Sequence, residues 1–192
     1  MLSIEQTVAP TEEPVTLAVA KNYLKQTTTT DDALITSMIK AARQAAEKEA
    51  SKAFVTQTFA MYLDTFPSYN QPIWLINAPV QSITSITHED AAGATQTWSS
   101  SLYQLDNKQD PARLQPAYNQ QYPDHRVNQN SITITYVSGY GAASAVPEGY
   151  VTAILMMVKH MYDNRTIATG NMTKELVRSV GYLLNQDKVT VF

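Results

Sequence analysis

The spacing of hydrophobic positions changes twice along the chain. Leu17, Ala20, Tyr23 and Leu24 fall on one helical face behind Thr16, a residue type suited to an N-cap. This predicts a short helix over residues 17–24. The threonine run 27–30 ends it, because a branched Cβ and a competing hydroxyl both resist helix. Asp31 and Asp32 then open a longer helix running to about residue 51, two acids where the helix dipole favours them. Ile35, Ile39, Ala42, Ala46 and Ala50 recur at intervals of three and four, and Leu34, Met38, Ala41 and Ala45 widen that stripe. Its second half is almost all alanine, which lets another helix approach closely. Packing within the chain and contact with a neighbouring subunit both suit such a face. Ala42, Ala46 and Ala50 are therefore candidates for a subunit interface.

From Val55 the period drops to two. Gln57, Phe59, Met61 and Leu63 alternate with Thr58, Ala60 and Tyr62, as in a half-buried strand. Further strand-like segments are expected at 73–76, 82–88, 95–98, 103–106, 112–115 and 131–137. Proline, glycine and aspartate punctuate them, with Ala91-Ala92-Gly93-Ala94 as a hairpin tip. Short strands in succession argue for an antiparallel sheet or small barrel rather than βαβ crossovers.

The helical period returns after Pro147, a good first helical residue, with Glu148 in the first turn. Val151, Ile154, Leu155, Val158 and Tyr162 form its stripe, and an end is expected near Asn164-Arg165. A flexible connection at 166–173, a short amphipathic piece at 175–184 and a β-prone stretch at 188–192 follow. The resulting expectation is an α+β chain with two N-terminal helices and one long helix after Pro147. An antiparallel β-rich insertion occupies 55–137. Residues 1–14 read as a mobile acidic lead-in, 15–165 as the main domain and 166–192 as a C-terminal arm.

Composition narrows the function. Charged residues make up only 16% of the chain, and 14 bases against 17 acids leave a net charge of −3. In their place stand 22 Thr, 14 Gln, 13 Ser and 10 Asn. No basic footprint of a dedicated nucleic-acid binder is present. The absence of cysteine excludes disulfides, thiolate metal sites and cysteine nucleophiles. Residues 1–14 lack the basic start of a secretory signal, and the longest apolar run, 153–158, is far too short to span a bilayer. A soluble, cytoplasmically made protein with no membrane contact is expected.

Candidate chemistry is sparse. His88, His125 and His160 have no second histidine at helical spacing, and His88-Glu89-Asp90 sits beside the expected hairpin tip, where a polar turn accounts for it. Gly139-Tyr140-Gly141 lacks the third glycine and the context of a dinucleotide loop, and reads as a turn ending a strand. Neither Ser138 nor Ser144 stands in a nucleophile elbow. No catalytic residue, cofactor or metal is predicted. Tyr69, Trp74, Trp98, Tyr103, Tyr118 and Tyr122 cluster in the strand region among Gln and Asn. They suit core packing, a protein interface or, less well, a sugar platform. Tyr118 and Tyr122 are candidate interface residues. The loops 106–111 and 117–130 are candidate contact loops, since binding functions gather on loops. Residues 53–130 hold six acids and three bases, whereas 131–192 hold four acids and five bases.

The order of these pieces resembles the head–tail connector (adaptor) family of tailed bacteriophages and prophages. The resemblance rests on Pro14-Val15-Thr16-Leu17, Asp31-Asp32-Ala33-Leu34-Ile35, Val55-Thr56-Gln57-Thr58-Phe59 and Ala78-Pro79-Val80-Gln81-Ser82-Ile83-Thr84-Ser85-Ile86. It continues through Tyr103-Gln104-Leu105-Asp106, Pro111-Ala112-Arg113-Leu114, Ile132-Thr133-Ile134-Thr135-Tyr136, Val146-Pro147-Glu148 and Tyr162-Asp163-Asn164-Arg165. Two departures stand out: Ala50-Ser51-Lys52 replaces a glycine-containing turn, and the C-terminal match is confined to Gly181-Tyr182-Leu183-Leu184. The resemblance implies a non-enzymatic virion protein, assembled in the host cytoplasm and located in the neck. It implies a ring, commonly of twelve subunits, beneath the portal protein. Such a ring extends the DNA channel without gripping DNA specifically, and offers a platform for a stopper or tail protein. It also implies that the C-terminal arm reaches the portal, which points to Lys174, Arg178, Tyr182, Lys188, Val189, Val191 and Phe192. A stopper or tail-terminator subunit, or a carbohydrate-binding module, are the alternatives.

Overall fold

A computed structural model describes residues 2–164 and 174–185. The chain divides into two compact units. One takes Met1–Pro10 and Thr56–Gly139, and the other Thr11–Val55 and Tyr140–Phe192.

The first unit is built of antiparallel strands. β1 (Leu2–Val8), β2 (Gln57–Leu63), β8 (Ile132–Ser138), β4 (Val80–Glu89) and β5 (Thr95–Thr97) form one sheet in that order. β3 (Ile73–Leu75), β7 (Ala112–Pro116) and β6 (Tyr103–Asp106) form a smaller sheet. The strand segments read from the sequence between residues 55 and 137 are all present, and the β-prone stretch at 188–192 lies outside the described residues. β8 alternates as expected, with Ile132, Ile134, Tyr136 and Ser138 buried. The Tyr136 hydroxyl meets its buried surroundings by donating to the Ile76 carbonyl at 2.9 Å. The tip between β4 and β5 is a turn capped by Asp90, whose carboxylate accepts from the amides of Ala92 and Ala94 and from the Gln96 side chain. Gly139 and Gly141 take φ of +127° and +125° where β8 ends, so this pair is a backbone turn.

β1 corrects the expectation of a mobile lead-in. Leu2, Ile4, Gln6 and Val8 carry a two-residue period, and the segment pairs antiparallel with β2. The Gln6 amide donates to the buried Gln57 carbonyl oxygen, which satisfies a polar side chain facing inward. The acids at 5, 12 and 13 had masked a short strand.

The second unit is helical, with α1 (Leu17–Leu24), α2 (Asp32–Ala50), α3 (Glu148–Asp163) and α4 (Lys174–Asn185). Thr16 Oγ1 accepts from the Val19 amide, as its position predicts. Both α1 and α2 end in a left-handed residue that is not glycine, Lys25 at φ +56° and Ser51 at φ +55°. Ser51 thus occupies the place where a helix-ending glycine is usual. Ile35, Ile39, Ala42, Ala46 and Ala50 pack in one core with Phe54, Tyr150, Ile154 and Val158. The Phe54 and Tyr150 rings stack at 4.6 Å.

Arg43 sits in this unit with 2% of its surface exposed. Its guanidinium donates to both carboxylate oxygens of Glu13 and to Glu47, while the other Glu47 oxygen accepts from the Phe54 amide. Burial alone would lower the Arg43 pKa, but the two carboxylates outweigh it and the net direction is up. One side chain therefore fastens the segment before α1, the middle of α2 and the segment after it.

Candidate functional site

Among the described residues no group of three histidines or carboxylates converges as a metal site. No described helix is long and apolar enough to cross a membrane. What the chain does offer is contact surface, concentrated in the β-unit.

Its organising element is Phe66. The Tyr122 ring stacks on Phe66 at 4.9 Å, and Trp98 meets it edge-on at 5.7 Å. His125 and His88 approach the same ring at 5.0 and 6.2 Å. Trp98 in turn contacts Tyr103 and Tyr122. Burial pushes the Tyr122 hydroxyl up to about 12, and that hydroxyl donates to the Gln71 carbonyl at 2.7 Å. The aromatics at 98, 103 and 122 are thus mainly internal packing. That weakens the sugar-platform reading, because of the two tryptophans only Trp74 stands out, 37% exposed.

The cluster anchors residues 117–130. Besides Tyr122, His125 holds this loop: one ring nitrogen lies 2.9 Å from Thr65 Oγ1 and 3.3 Å from the Phe66 amide, the other 3.1 Å from the Pro123 carbonyl. The Arg126 amide donates to the Glu89 carbonyl, and the Asn130 amide to Asp64. A long connection without regular structure is thereby held in one shape. It presents Tyr118, 89% exposed, beside a hollow of about 600 Å³ lined by Asn70, Gln115, Asn119, Gln120 and Gln121 among others. Gln115 also borders a second hollow with Gln104, Leu105, Asp106 and Arg113. There the Arg113 guanidinium donates to Asp106 at 3.0 Å, so the charges of that face cancel. Trp74 pairs with Arg113 in register across β3 and β7. The outer face of the small sheet and the adjoining loop thus show Trp, Tyr, Arg and amides with no unpaired charge in either lining. Exposed Trp, Tyr and Arg are the residue types that dominate protein-interface energetics.

No family model and no curated protein matches the chain. Solved structures do. A chain in the neck of an empty gene transfer agent (GTA) particle, computed with C6 symmetry, aligns over 99% of this chain and 97% of its own. The TM-score is 0.79 and the identity 20%. A chain in the virion of the native GTA particle aligns over 98% and 97%, with TM-score 0.78 and 22% identity. One in the neck of the native particle, computed with C12 symmetry, aligns over 99% and 97%, with TM-score 0.77 and 20% identity. This chain shares their fold.

The side chains singled out in the sequence separate within that fold. Tyr118 is free for contact, whereas Tyr122 is a pin inside the β-unit. Ala42, Ala46 and Ala50 are buried in the core of the helical unit, which is the packing alternative; their methyl groups have no surface to offer another subunit. Of the residues assigned to widen the buried stripe, Leu34, Ala41 and Ala45 are exposed, whereas Met38 packs against the core. A small rotation of the helix about its axis separates the two readings, and periodicity alone tolerates both.

The C-terminal residues divide as well. The amphipathic piece expected at 175–184 is α4, and its Val180 and Leu184 are buried in the helical core. The segment expected to be an arm is therefore in part a core helix. Arg178 and Tyr182 lie one turn apart on its outer side, with Tyr182 71% exposed. The connection at 166–173 and Lys188, Val189, Val191 and Phe192 lie outside the described residues, as does the side chain of Lys174.

Burial and loop anchoring were the features that sequence reasoning missed. The role of Phe66 had no sequence signal, since its partners come from positions 88, 98, 122 and 125. His125 carried a faint one: a histidine flanked by Pro123 and Asp124 in a loop too long to hold itself.

Proposed function

We propose that this chain is a structural, non-enzymatic neck protein of a tailed-phage-like particle, and specifically the adaptor subunit beneath the portal. The observation that carries this reading is the end-to-end fold shared with chains from GTA necks, at 99% and 97% coverage with a TM-score of 0.79. The C6 and C12 symmetries of those necks favour a closed ring of copies, with twelve as the expected number. The ordered motifs from residue 14 to 165 support the adaptor role over stopper or tail terminator. Assembly in the host cytoplasm and residence in the virion neck follow from it.

In this reading the ring touches itself, the portal protein and a stopper or tail protein, while DNA passes through without specific contact. The β-unit suits such a passage: seven acids against three bases give it a net charge of −4, which repels phosphates rather than gripping them. Arg178 and Tyr182 on the outer side of α4, together with Lys174, Lys188, Val189, Val191 and Phe192, are the proposed portal contacts. The face around Trp74, Arg113 and Tyr118 is the proposed platform or subunit contact.

The test is native mass spectrometry and electron microscopy of the chain mixed with the portal protein of its own particle. Twelve copies bound directly on the portal support the adaptor. A ring that binds only tail protein, or one seated below another ring, overturns that assignment in favour of a terminator or stopper. Failure to form any ring or portal complex overturns the neck reading itself.

A further inference from the structure

Two histidines of the β-unit share one phenyl ring, and nothing in the proposed neck role uses them. We propose that Phe66, His88 and His125 form an acid-released latch on the loop 117–130, which carries the exposed Tyr118.

The argument starts from which nitrogen holds the proton. A carbonyl only accepts, so the contact to Pro123 O requires the His125 proton on Nδ1. Nε2 then carries the lone pair that accepts from the Phe66 amide. The latch is closed only with a neutral ring. A second proton turns Nε2 into a donor facing another donor, and the Phe66 amide loses its acceptor. The Thr65 hydroxyl follows either state, since it donates or accepts. His88 makes the charge harder to absorb. It is buried, its Nδ1 has no hydrogen-bond partner, and it approaches the same phenyl ring. Burial first and His125 second hold its proton affinity below the ordinary histidine range, with Asp90 acting in the opposite sense.

The other ionisable groups around the pair are the phenols of Tyr122, stacked on Phe66, and of Tyr103, beside Trp98, and a few charged side chains. Asp64 lies on the segment before Phe66, and Asp124 and Arg126 flank His125 in the loop. Arg126 lies over Gly93, and Glu89 and Asp90 follow the His88 position on β4. β5 has no titratable side chain, and β8 only the Tyr136 phenol. Acidification therefore removes one of the bonds that fix the loop and adds like charge around Phe66, and the loop loosens there first. Tyr118 and Val127, 89% and 73% exposed, lose their fixed placement with it. The inference stands independently of ring formation, because every group in it belongs to one β-unit.

Hydrogen exchange on the full chain tests it. Amide protection factors in 117–130 should fall roughly fivefold or more between pH 7.5 and pH 5.0, the worth of one net hydrogen bond, while those of β8 hold. His125→Gln, whose side-chain oxygen accepts but does not titrate, should remove most of the difference and leave only what His88 contributes. Should that variant not fold, the amide shift of Phe66 in the wild-type chain should titrate together with the His125 ring. Equal protection at both pH values, an unchanged response in His125→Gln, or a Phe66 amide that ignores the ring titration each overturns the latch.

Discussion

Whether α4 is core or arm is decided by Leu184. This side chain is buried in the helical core, one turn from Val180, which is buried with it. Replacing it with alanine removes three carbon atoms. At roughly 0.8 kcal/mol per buried methylene the transfer loss is about 2.4 kcal/mol, and the residual cavity takes Leu→Ala changes to about 2–5 kcal/mol. Tyr182, two positions away and 71% exposed, is the control: Tyr182→Ala should stay within about 0.5 kcal/mol of wild type. Urea unfolding followed by circular dichroism at 222 nm reads the helical unit. With a slope of about 2 kcal/mol per molar, Leu184→Ala should lower the midpoint by at least about 1 M. Equal midpoints for the two variants would refute the packing and leave α4 as an arm held only by a partner. The design of functional tests follows. Deletion after residue 165 strips a core helix along with any docking segment, so loss of portal binding would not identify the arm. Deletion after Asn185 removes only 186–192 and is the cleaner experiment.

Other substitutions probe the supports of each unit. Ser51→Gly should stabilise the helical unit by about 0.5–1 kcal/mol, since relief of left-handed strain exceeds the added freedom of the unfolded chain; a lowered melting temperature contradicts this. Arg43→Ala should cost about 3 kcal/mol, the low end for breaking a buried ion pair, because Glu13 can turn to water while Glu47 cannot; a loss under 1 kcal/mol would show the network to be incidental. Tyr136→Phe leaves the Ile76 carbonyl without its donor and should cost about 1 kcal/mol, measurable by differential scanning calorimetry. For pH, His88 has a folded value lowered from 6.5. The unfolded chain therefore binds more protons in the interval below 6.5, so stability is full above it and declines as pH falls through it. His88→Gln should flatten that part of the stability profile, and an identical decline in the variant would assign it to another group.

The strands were legible because each is short, bounded by turn residues and alternates cleanly. Ile132 to Ser138 is the plainest case. The helices were legible from caps and spacing, down to Thr16 and Pro147. Burial on α2 was less so, since Ala41 and Ala42 differ by 100° around the axis and alanine fits either side. β1 escaped notice because its partner, β2, lies fifty residues onward, and a local reading saw only acids and prolines. The Phe66 cluster escaped for the same reason. A contact surface made from positions 74, 113, 115 and 118 exists only after the strands pair.

The scarcity of charge acquires a physical meaning once the ion pairs are placed. Arg43 is consumed by Glu13 and Glu47, Lys21 by Asp32, Arg113 by Asp106 and Lys159 by Asp163. These pairings quench charge inside or along the units, so the hollows beside Tyr118 and Arg113 are left to amides and hydroxyls. Desolvating such groups costs far less than desolvating ions, provided hydrogen bonds replace the lost water. A subunit with neighbours on several sides meets that cost at every interface, whereas a free enzyme meets it only at its active site. The composition therefore carries weight for the proposed ring through the structure: the charges in the linings of the two hollows are paired, and Tyr118 is set among neutral donors and acceptors. Had the seven acids of the β-unit been gathered beside Tyr118, the same composition would have argued against contact there.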